Sequence, residues 1–209
     1  MIGYHMKKMM WSKMLYEANI SRCHWVTDDP IYITYHDEEW GNLKHFTDDH
    51  YLFEMLTLEG AQAGLSWITI LKRREHYRQA FHQFDPTKVA LFDEVKINQL
   101  MQNKGIIRNR RKIVSTVENA KAFLKIQEEH GSFHEFLWNY FGQKQRVNSP
   151  QTENDVPAST KESVQLSKTL KKQGFSFVGP IICYSFMQAV GLVDDHTKNC
   201  FLYDERGNI

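Results

Sequence analysis

The hydrophobic residues of this chain recur mostly at the three- and four-residue spacing that is typical of helices. The longest periodic run follows Thr47 and Asp48, two residue types that cap helices, and it ends at Gly64. Strictly alternating hydrophobic and polar positions, which would indicate half-buried strands, are scarce along the chain. The pattern therefore predicts an all-α fold, with a long helix between residues 47 and 64.

Capping residues and glycines mark further helix boundaries. Ser66 can cap a helix that begins at Trp67, and Asp85 followed by Pro86 is typical of a helix start. The polar stretch 143–160 contains two prolines and has no periodicity, so it predicts a long connecting loop. Two capping-box patterns and four glycines predict other starts and ends: Ser132 to Glu135, Ser159 to Glu162, Gly105, Gly131, Gly174 and Gly191.

One acidic residue lies on the hydrophobic face of the first long helix. Glu59 shares its helical stripe with Leu52, Met55 and Leu56, whereas Glu54 lies well off that stripe. A carboxylate that faces a core is paired, protonated or functional. The residues alone leave two interpretations open: a buried structural partner such as an arginine, or a functional carboxylate.

Aromatic residues are dense just before and just after this helix. Trp25, Tyr32 and Tyr35 precede it, and Trp67 follows it. Such density usually indicates core packing. Together with Glu59, the same rings could also form a slot for a flat heterocycle, and for a cationic one especially.

The cysteines and two of the ten histidines suggest a metal site. Cys23 and His36 are separated by twelve residues, and His196 and Cys200 by three. Thiolates and imidazoles are the ligands that zinc prefers, and four of them close a structural tetrahedron that would join the two ends of the chain. Chance placement is the alternative interpretation of this spacing. Cys183 lies in an apolar helix and is interpreted as a small buried hydrophobe.

Several features are compatible with DNA binding, although the formal net charge is only +1. The segment from Leu170 to Pro180 predicts a helix, a turn bounded by Gly174 and Gly179, and a second helix. Such a turn can direct backbone N–H groups at a phosphate, but an ordinary helical hairpin would have the same pattern. Basic clusters at 72–74, 108–112 and 168–172 raise the prospect of a phosphate-binding surface.

These segments together resemble the 3-methyladenine-DNA glycosylase I family, within the helix-hairpin-helix glycosylases. The resemblance runs from about residue 22 to 203, in order and without large gaps. It therefore implies an all-α helix-hairpin-helix glycosylase fold in which a zinc site joins the N- and C-terminal segments. The matching blocks are CHWVTDDPIYITYHDEEWG (23–41), LFEMLTLEGAQAGLSWITILK (52–72), FHQFDPTKVA (81–90), GIIRNRRKI (105–113) and LKKQGFSFVGPIICYSFMQAVGLVDDH (170–196).

The resemblance implies a role for each matching residue. Glu59 corresponds to the carboxylate that recognises the base, and Trp67 to the ring that stacks on it. The further aromatic residues that would line the pocket are Trp25, Tyr32 and Tyr35. The residues that would enter the duplex are Gln62, Gly64 and Leu65, and those that would hold one structural Zn²⁺ are Cys23, His36, His196 and Cys200. In the hairpin, the residues that would grip the phosphates are Lys172, Gly174, Val178 and Gly179.

The implied activity is hydrolytic removal of 3-methyladenine from alkylated double-stranded DNA, the first step of base excision repair. Related lyases carry a lysine nucleophile where this chain has Ile181, so β-elimination is not expected. Asp194 resembles a catalytic aspartate of other relatives, but it is expected only to orient a neighbour. A non-catalytic, zinc-containing DNA-binding module and a glycosylase of broader specificity or lyase activity remain the alternatives.

The organisation expected from the sequence is one domain, residues 22–209, after an extension at 1–21. Its helical lobe would span about 47–182, and a zinc-stapled lobe would combine 22–46 with 183–203. The first twenty residues have no secretory signal pattern and no apolar run is long enough for a membrane span. We therefore expect a monomer in the bacterial cytoplasm, associated with the nucleoid when it acts on DNA.

Overall fold

The computed structural model describes residues 20–206, so nearly all of the expected extension at 1–21 lies outside the described residues. The described part of the chain is mostly helical, as the sequence predicts. Its α-helices, numbered here from the N-terminus, are α1 (Pro30–Glu38), α2 (Asp49–Gln62), α3 (Trp67–Leu71), α4 (Arg74–Ala80), α5 (Pro86–Val89), α6 (Glu94–Gln102), α7 (Arg110–His130), α8 (Phe133–Tyr140), α9 (Lys161–Lys172), α10 (Pro180–Ala189) and α11 (Phe201–Arg206).

Helix α2 forms the centre of the core. Asp48 caps it by accepting hydrogen bonds from the backbone N–H groups of His50 and Tyr51. Helices α3, α7, α8 and α10 pack around it, and every residue from Tyr51 to Ala61 is buried. Because α2 is enclosed on all sides, residues off its apolar stripe are buried too.

Several predicted boundaries are confirmed and three need correction. The starts after Asp85 and Ser132 and the end at Gly131 lie where the sequence predicts them. The capping box of α9 is formed by Thr160 with Ser163, one residue after the predicted pair. Ser66 does precede α3, but its hydroxyl bonds that of Thr69 rather than a backbone N–H.

The third correction concerns Gly105, which does not end a helix because α6 ends earlier, at Gln102. A β-carbon on Gly105 would lie 2.8 Å from the ring of His76. This glycine is therefore needed for the close approach of its loop to α4 rather than for helix termination.

The predicted loop 143–160 contains short regular structure. Strand β1 (Arg146–Val147) pairs in parallel with β2 (Val193–Asp194), with Arg146 opposite Val193. Short 3₁₀ helices occur at Leu43–His45, His82–Phe84 and Glu153–Asp155. The strand pair fixes the loop beside the segment that follows α10, and this brings Glu153 and Val156 to the site described below. Among the described residues, no helix is long and apolar enough to cross a membrane.

Candidate active site

A cavity of about 340 Å³ lies between α1, α2, α3 and α10. Five residues singled out in the sequence for a base pocket all line it, and Gln62 joins them. The cavity therefore brings together a carboxylate and a set of rings that come from three separate elements. The residues along its wall are Cys23, Trp25, Tyr32, Tyr35, Trp40, Glu59, Gln62, Trp67, Glu153, Val156, Ser185, Gln188, Asp195 and Thr197.

Helices α1 and α3 position three of the aromatic residues that line the cavity. Asp29 caps α1, which carries Tyr32 and Tyr35, and Trp67 is the first residue of α3. The Tyr35 and Trp67 rings lie 5.3 Å apart between centroids, and Trp25 lies 5.1 Å from Tyr32. Such spacing is typical of packed aromatic pairs, so the walls support one another before any ligand enters.

Glu59 is the acidic group of this cavity. Its side chain is 4% exposed, and it makes no hydrogen bond or ion pair with any other described residue. Burial raises its pKa to about 8, because an ionised carboxylate loses the stabilisation that water provides. Of the two interpretations that the sequence leaves open, the arginine partner is therefore not found within residues 20–206.

Polar groups next to Glu59 share its apolar surroundings. Burial is the main cause of the raised pKa of Tyr32 and Tyr35, and the charge of Glu59 adds to it. The indole N–H of Trp67 is buried and has no hydrogen-bond partner among the described residues. A buried carboxylate and a buried donor that both lack partners beside a cavity are suited to a polar, flat ligand.

A buried Cys/His group lies next to the cavity. Ligand atoms of Cys23, His36 and Cys200 all lie within 4.8 Å of one another. The fourth predicted ligand, His196, is adjacent to this group, with its ring centroid 5.0 Å from that of His36. Cys23 also lines the cavity, so the group is close in space to Glu59.

Carboxylates orient both imidazoles of this group. Asp37 lies 2.7 Å from Nδ1 of His36, and Asp194 lies 2.6 Å from Nδ1 of His196. A carboxylate on Nδ1 favours metal binding through Nε2, as at many metal sites. The group of Cys23, His36 and Cys200 could therefore hold a metal ion. Asp194 thus contacts a neighbour, His196, which is the position expected of a residue that orients it.

The turn after α2 is exposed and tightly shaped. Gly64 has a φ of +81°, and the Leu65 N–H donates to the Gln62 carbonyl at 2.6 Å. Leu65 is 41% exposed and is one of six exposed large hydrophobic residues among the described residues. Gln62, in contrast, lines the cavity. The turn therefore connects the end of the Glu59 helix with the Trp67 ring and presents Leu65 to solvent.

Two buried side chains hydrogen-bond to the main chain of the hairpin between α9 and α10. Asn119 of α7 accepts from the Ser176 N–H and donates to the Ser176 carbonyl, and Ser167 donates to the Val178 carbonyl. The Val178 side chain is buried, so its exposed chemistry is limited to the main chain. Lys172, at the end of α9, is exposed and forms no ion pair with the described residues.

Two of the three basic clusters are partly used within the protein. Lys72 pairs with Asp29, and Arg74 is buried between glutamates. Arg110 pairs with Glu94, and Lys112 binds backbone carbonyls. The hairpin cluster at 168–172 has no such pairs in the described part of the chain. The charge runs at 72–74 and 108–112 are therefore weaker indicators of a phosphate surface than the sequence suggests.

Comparison with known proteins decides the family. The model of the methyladenine glycosylase family matches residues 25–203. The DNA-3-methyladenine glycosylase 1 of Escherichia coli K12 is 52% identical over 184 residues, which are 88% of this chain and 97% of that protein. The chain belongs to the methyladenine glycosylase family.

Solved structures agree with this assignment. A crystal structure of a 3-methyladenine DNA glycosylase I is 51% identical, with a TM-score of 0.83, and covers 87% of this chain and 98% of its own. A variant of such an enzyme, solved in complex with 3-methyladenine, is 40% identical with a TM-score of 0.82, covering 86% of this chain and 96% of its own. The family match spans nearly all of the cavity.

Sequence reasoning missed about half of the cavity wall. Glu153 and Val156 come from the loop 143–160, which has no periodicity that would indicate a site. Gln188 and Asp195 come from the end of α10 and the segment after it. Gln188 is a polar residue in an apolar stretch, whereas Asp195 lies among polar residues and has no such signal. In the structure both are buried, and the Gln188 side chain donates to Asp195 at 2.6 Å.

Proposed function

We propose that this protein flips 3-methyladenine out of alkylated double-stranded DNA and removes it by hydrolysis of the glycosidic bond, the first step of base excision repair. The observation that carries the proposal is Glu59, which is buried without a hydrogen-bond or ion-pair partner among residues 20–206 and lines an aromatic cavity of base size. The family assignment and the relative solved with 3-methyladenine support the choice of substrate.

The cavity accounts for selection of a cationic base. A base must leave the helical stack to be reached, and a damaged base is cheaper to extrude. In the cavity, its ring would stack on Trp67 between the tyrosine walls, and Glu59 would accept a hydrogen bond from it. N3-methylated adenine carries positive charge, which favours stacking against aromatic faces as well.

Electrostatics in the cavity disfavour neutral adenine. Without a ligand, burial holds the pKa of Glu59 at about 8. A bound cation favours the ionised carboxylate and is stabilised by its charge, whereas a neutral base leaves the carboxyl protonated and gains no such attraction. The base then leaves as a neutral molecule, so Glu59 is assigned to recognition, and only modest transition-state stabilisation and an admitted water are needed.

Two exposed elements are proposed to hold the duplex. Gly64 and Leu65, with Gln62 at the cavity side, would fill the space that the extruded base leaves. The hairpin from Gly174 through Val178 to Gly179 would direct main-chain N–H groups at phosphates, with the charge of Lys172 beside it. Ile181 stands where lyase relatives carry lysine, which supports a monofunctional enzyme.

We also propose that Cys23, His36, His196 and Cys200 hold one structural Zn²⁺. With four protein ligands the metal has no open position, so it would supply stability and no chemical step. It would join the N-terminal segment 22–46 to the C-terminal segment 183–203, and these two form the zinc-stapled lobe beside the helical lobe (47–182) within one domain, 22–209. The enzyme is proposed to act as a monomer on DNA in the bacterial cytoplasm.

Metal analysis tests the zinc proposal. We expect one zinc per chain in the purified protein and none in Cys23→Ser, with a lower unfolding temperature because the closed loop is released. Cys183→Ser is the matched control, since this buried cysteine lies outside the metal group. A Cys23→Ser variant that retained zinc and full stability would overturn the ligand assignment.

Base release tests the activity. The protein is incubated with methylated duplex DNA, and the free bases are identified by chromatography. We expect 3-methyladenine from the wild type, with a rate about 100-fold lower in Glu59→Gln and Trp67→Ala, since each loses an interaction worth about 2–3 kcal/mol. No release would favour a non-catalytic DNA-binding module, and 7-methylguanine or nicked abasic strands would indicate the broader or lyase-type enzyme.

A further inference from the structure

Lys112 occupies an unfavourable place in its own helix. It belongs to the first turn of α7, where Arg110 and Arg111 precede it and which contains no acidic residue of its own. The N-terminus of a helix is its positive end, so cations there are disfavoured. Burial also lowers the pKa of the Lys112 ammonium, which indicates that its charge is partly removed from water.

The ammonium group of Lys112 reaches across to the end of α2. It donates to the Ala61 carbonyl at 2.8 Å and to the Ala63 carbonyl at 2.7 Å. The last turn of α2 contains no basic residue of its own. Carbonyls at a helix C-terminus lack intrahelical partners and favour a cation. Lys112 of α7 therefore supplies the cation that the last turn of α2 does not contain.

Nearby carbonyls of this helix end are bonded within the turn itself. The Gly60 carbonyl accepts from Ala63, and the Gln62 carbonyl accepts from Leu65. Residues 63–66 are exposed on their outer side, whereas Trp67 immediately after them is buried. In the described part of the chain, Lys112 is thus the side chain that ties this exposed turn to the core.

We propose that Lys112 is a positioning residue that clamps the turn between Glu59 and Trp67, so that Gln62, Gly64 and Leu65 are already arranged for the duplex before DNA binds. The proposal rests on the proposed function, in which this turn enters the duplex. It also removes Lys112 from the basic residues available to phosphates. Preorganisation of this kind stabilises a complex by lowering the ordering cost of binding.

The test replaces Lys112 with methionine, which keeps the length and helix propensity of the side chain and removes its donors. Lys121→Met is the matched control, because Lys121 lies on the same helix and makes only an exposed ion pair with Glu118. We expect Lys112→Met to bind a duplex with an abasic-site analogue about tenfold more weakly, the loss of roughly one charge-assisted hydrogen bond. Binding of free 3-methyladenine, followed by tryptophan fluorescence, should be unchanged.

Salt dependence separates a clamp from a phosphate contact. Lys112→Met should keep the wild-type slope of log affinity against log salt, whereas loss of one phosphate contact lowers the slope by about 0.9. A reduced slope, or abasic-duplex binding equal to wild type, would overturn the proposal. An equal loss of free-base binding would overturn it as well, since it would indicate a general structural defect.

Hydrogen exchange tests the clamp independently of any activity. We expect the amides of residues 62–66 to exchange faster in Lys112→Met than in Lys121→Met, because the turn is no longer tied to α7. Identical exchange in the two variants would contradict the clamp even if the enzyme releases 3-methyladenine. Faster exchange in a protein that releases no base would retain the clamp and overturn the proposed function alone.

Discussion

Two glutamates on helix α2 are buried to nearly the same extent and have opposite surroundings. Glu54 is 6% exposed and Glu59 is 4% exposed. Glu54 accepts from Arg74 Nε at 2.6 Å and from Arg78 Nε at 2.9 Å. Glu59 has no such partner in the described structure and lines an aromatic cavity. Burial alone therefore does not distinguish these two carboxylates. They differ in whether ion-pair partners are present among the described residues.

The paired glutamate belongs to a small buried network. Arg74 also donates to both carboxylate oxygens of Glu39, at 2.8 and 2.9 Å. This network joins α1, α2 and α4 on the side of α2 away from the cavity. Its charges balance one another, whereas the cavity leaves one acidic group for a ligand to balance. The same helix thus has one carboxylate in a buried ion-pair network and one that lines the cavity.

Breaking the pair at Glu54 should give the largest effect on stability. Glu54→Gln leaves Arg74 buried with Glu39 alone, and removing one partner of a buried ion pair costs about 3 kcal/mol or more. Denaturant unfolding measures this loss, and release of 3-methyladenine by the folded fraction should stay at the wild-type rate. A loss of stability below about 1 kcal/mol, a value typical of surface pairs, would contradict the contrast between the two glutamates.

The sequence predicts the core-facing position of Glu59 because its signal is local. A helical stripe, the capping residue Asp48 and the nearby Trp67 are all read within twenty positions of one another. The burial of Glu54 is not predicted, because it depends on helices that enclose α2 from distant parts of the chain. In the sequence, its partner Arg74 is visible only as one member of the basic cluster 72–74.

The same difference applies to the rest of the site. The spacing of Cys23 with His36 and of His196 with Cys200 is visible in the sequence, and three of these four form one group in the structure. The contributions of Glu153 and Gln188 depend on a two-residue strand pairing and on the packing of α10, and neither leaves a periodic pattern. Local chemistry is predictable here, whereas contacts between distant segments need the fold.

The unpaired carboxylate should make stability depend on pH in a direction opposite to that of an ordinary acid. Burial raises the folded-state pKa of Glu59 from 4.5 to about 8, so between these values the folded protein binds more protons than the unfolded chain. The contribution of Glu59 to stability is then most favourable below about pH 4.5 and falls as the pH rises toward 8. Glu59→Gln removes this contribution.

Unfolding of the wild type and of Glu59→Gln at several pH values measures that contribution. We expect the two to converge near pH 4.5 and the variant to be more stable by on the order of 2 kcal/mol at pH 8. Glu54→Gln serves as a control that should be less stable than the wild type throughout this range. A constant difference between wild type and Glu59→Gln would show that Glu59 does not titrate between these pH values.

The tyrosines beside the two glutamates give the smallest and most selective comparison. Tyr51 donates to Glu39 at 3.3 Å and to the Ala189 carbonyl at 3.2 Å, on the side of the paired carboxylates. Tyr51→Phe should therefore cost about 1 kcal/mol of stability and leave base release unchanged. Tyr32 is half-buried and lines the cavity, so Tyr32→Phe should slow release of 3-methyladenine while unfolding stays at the wild-type value. If Tyr51→Phe slowed release instead, the network around Glu54 would have to act on the cavity, and the separation of the two carboxylates along α2 would not hold.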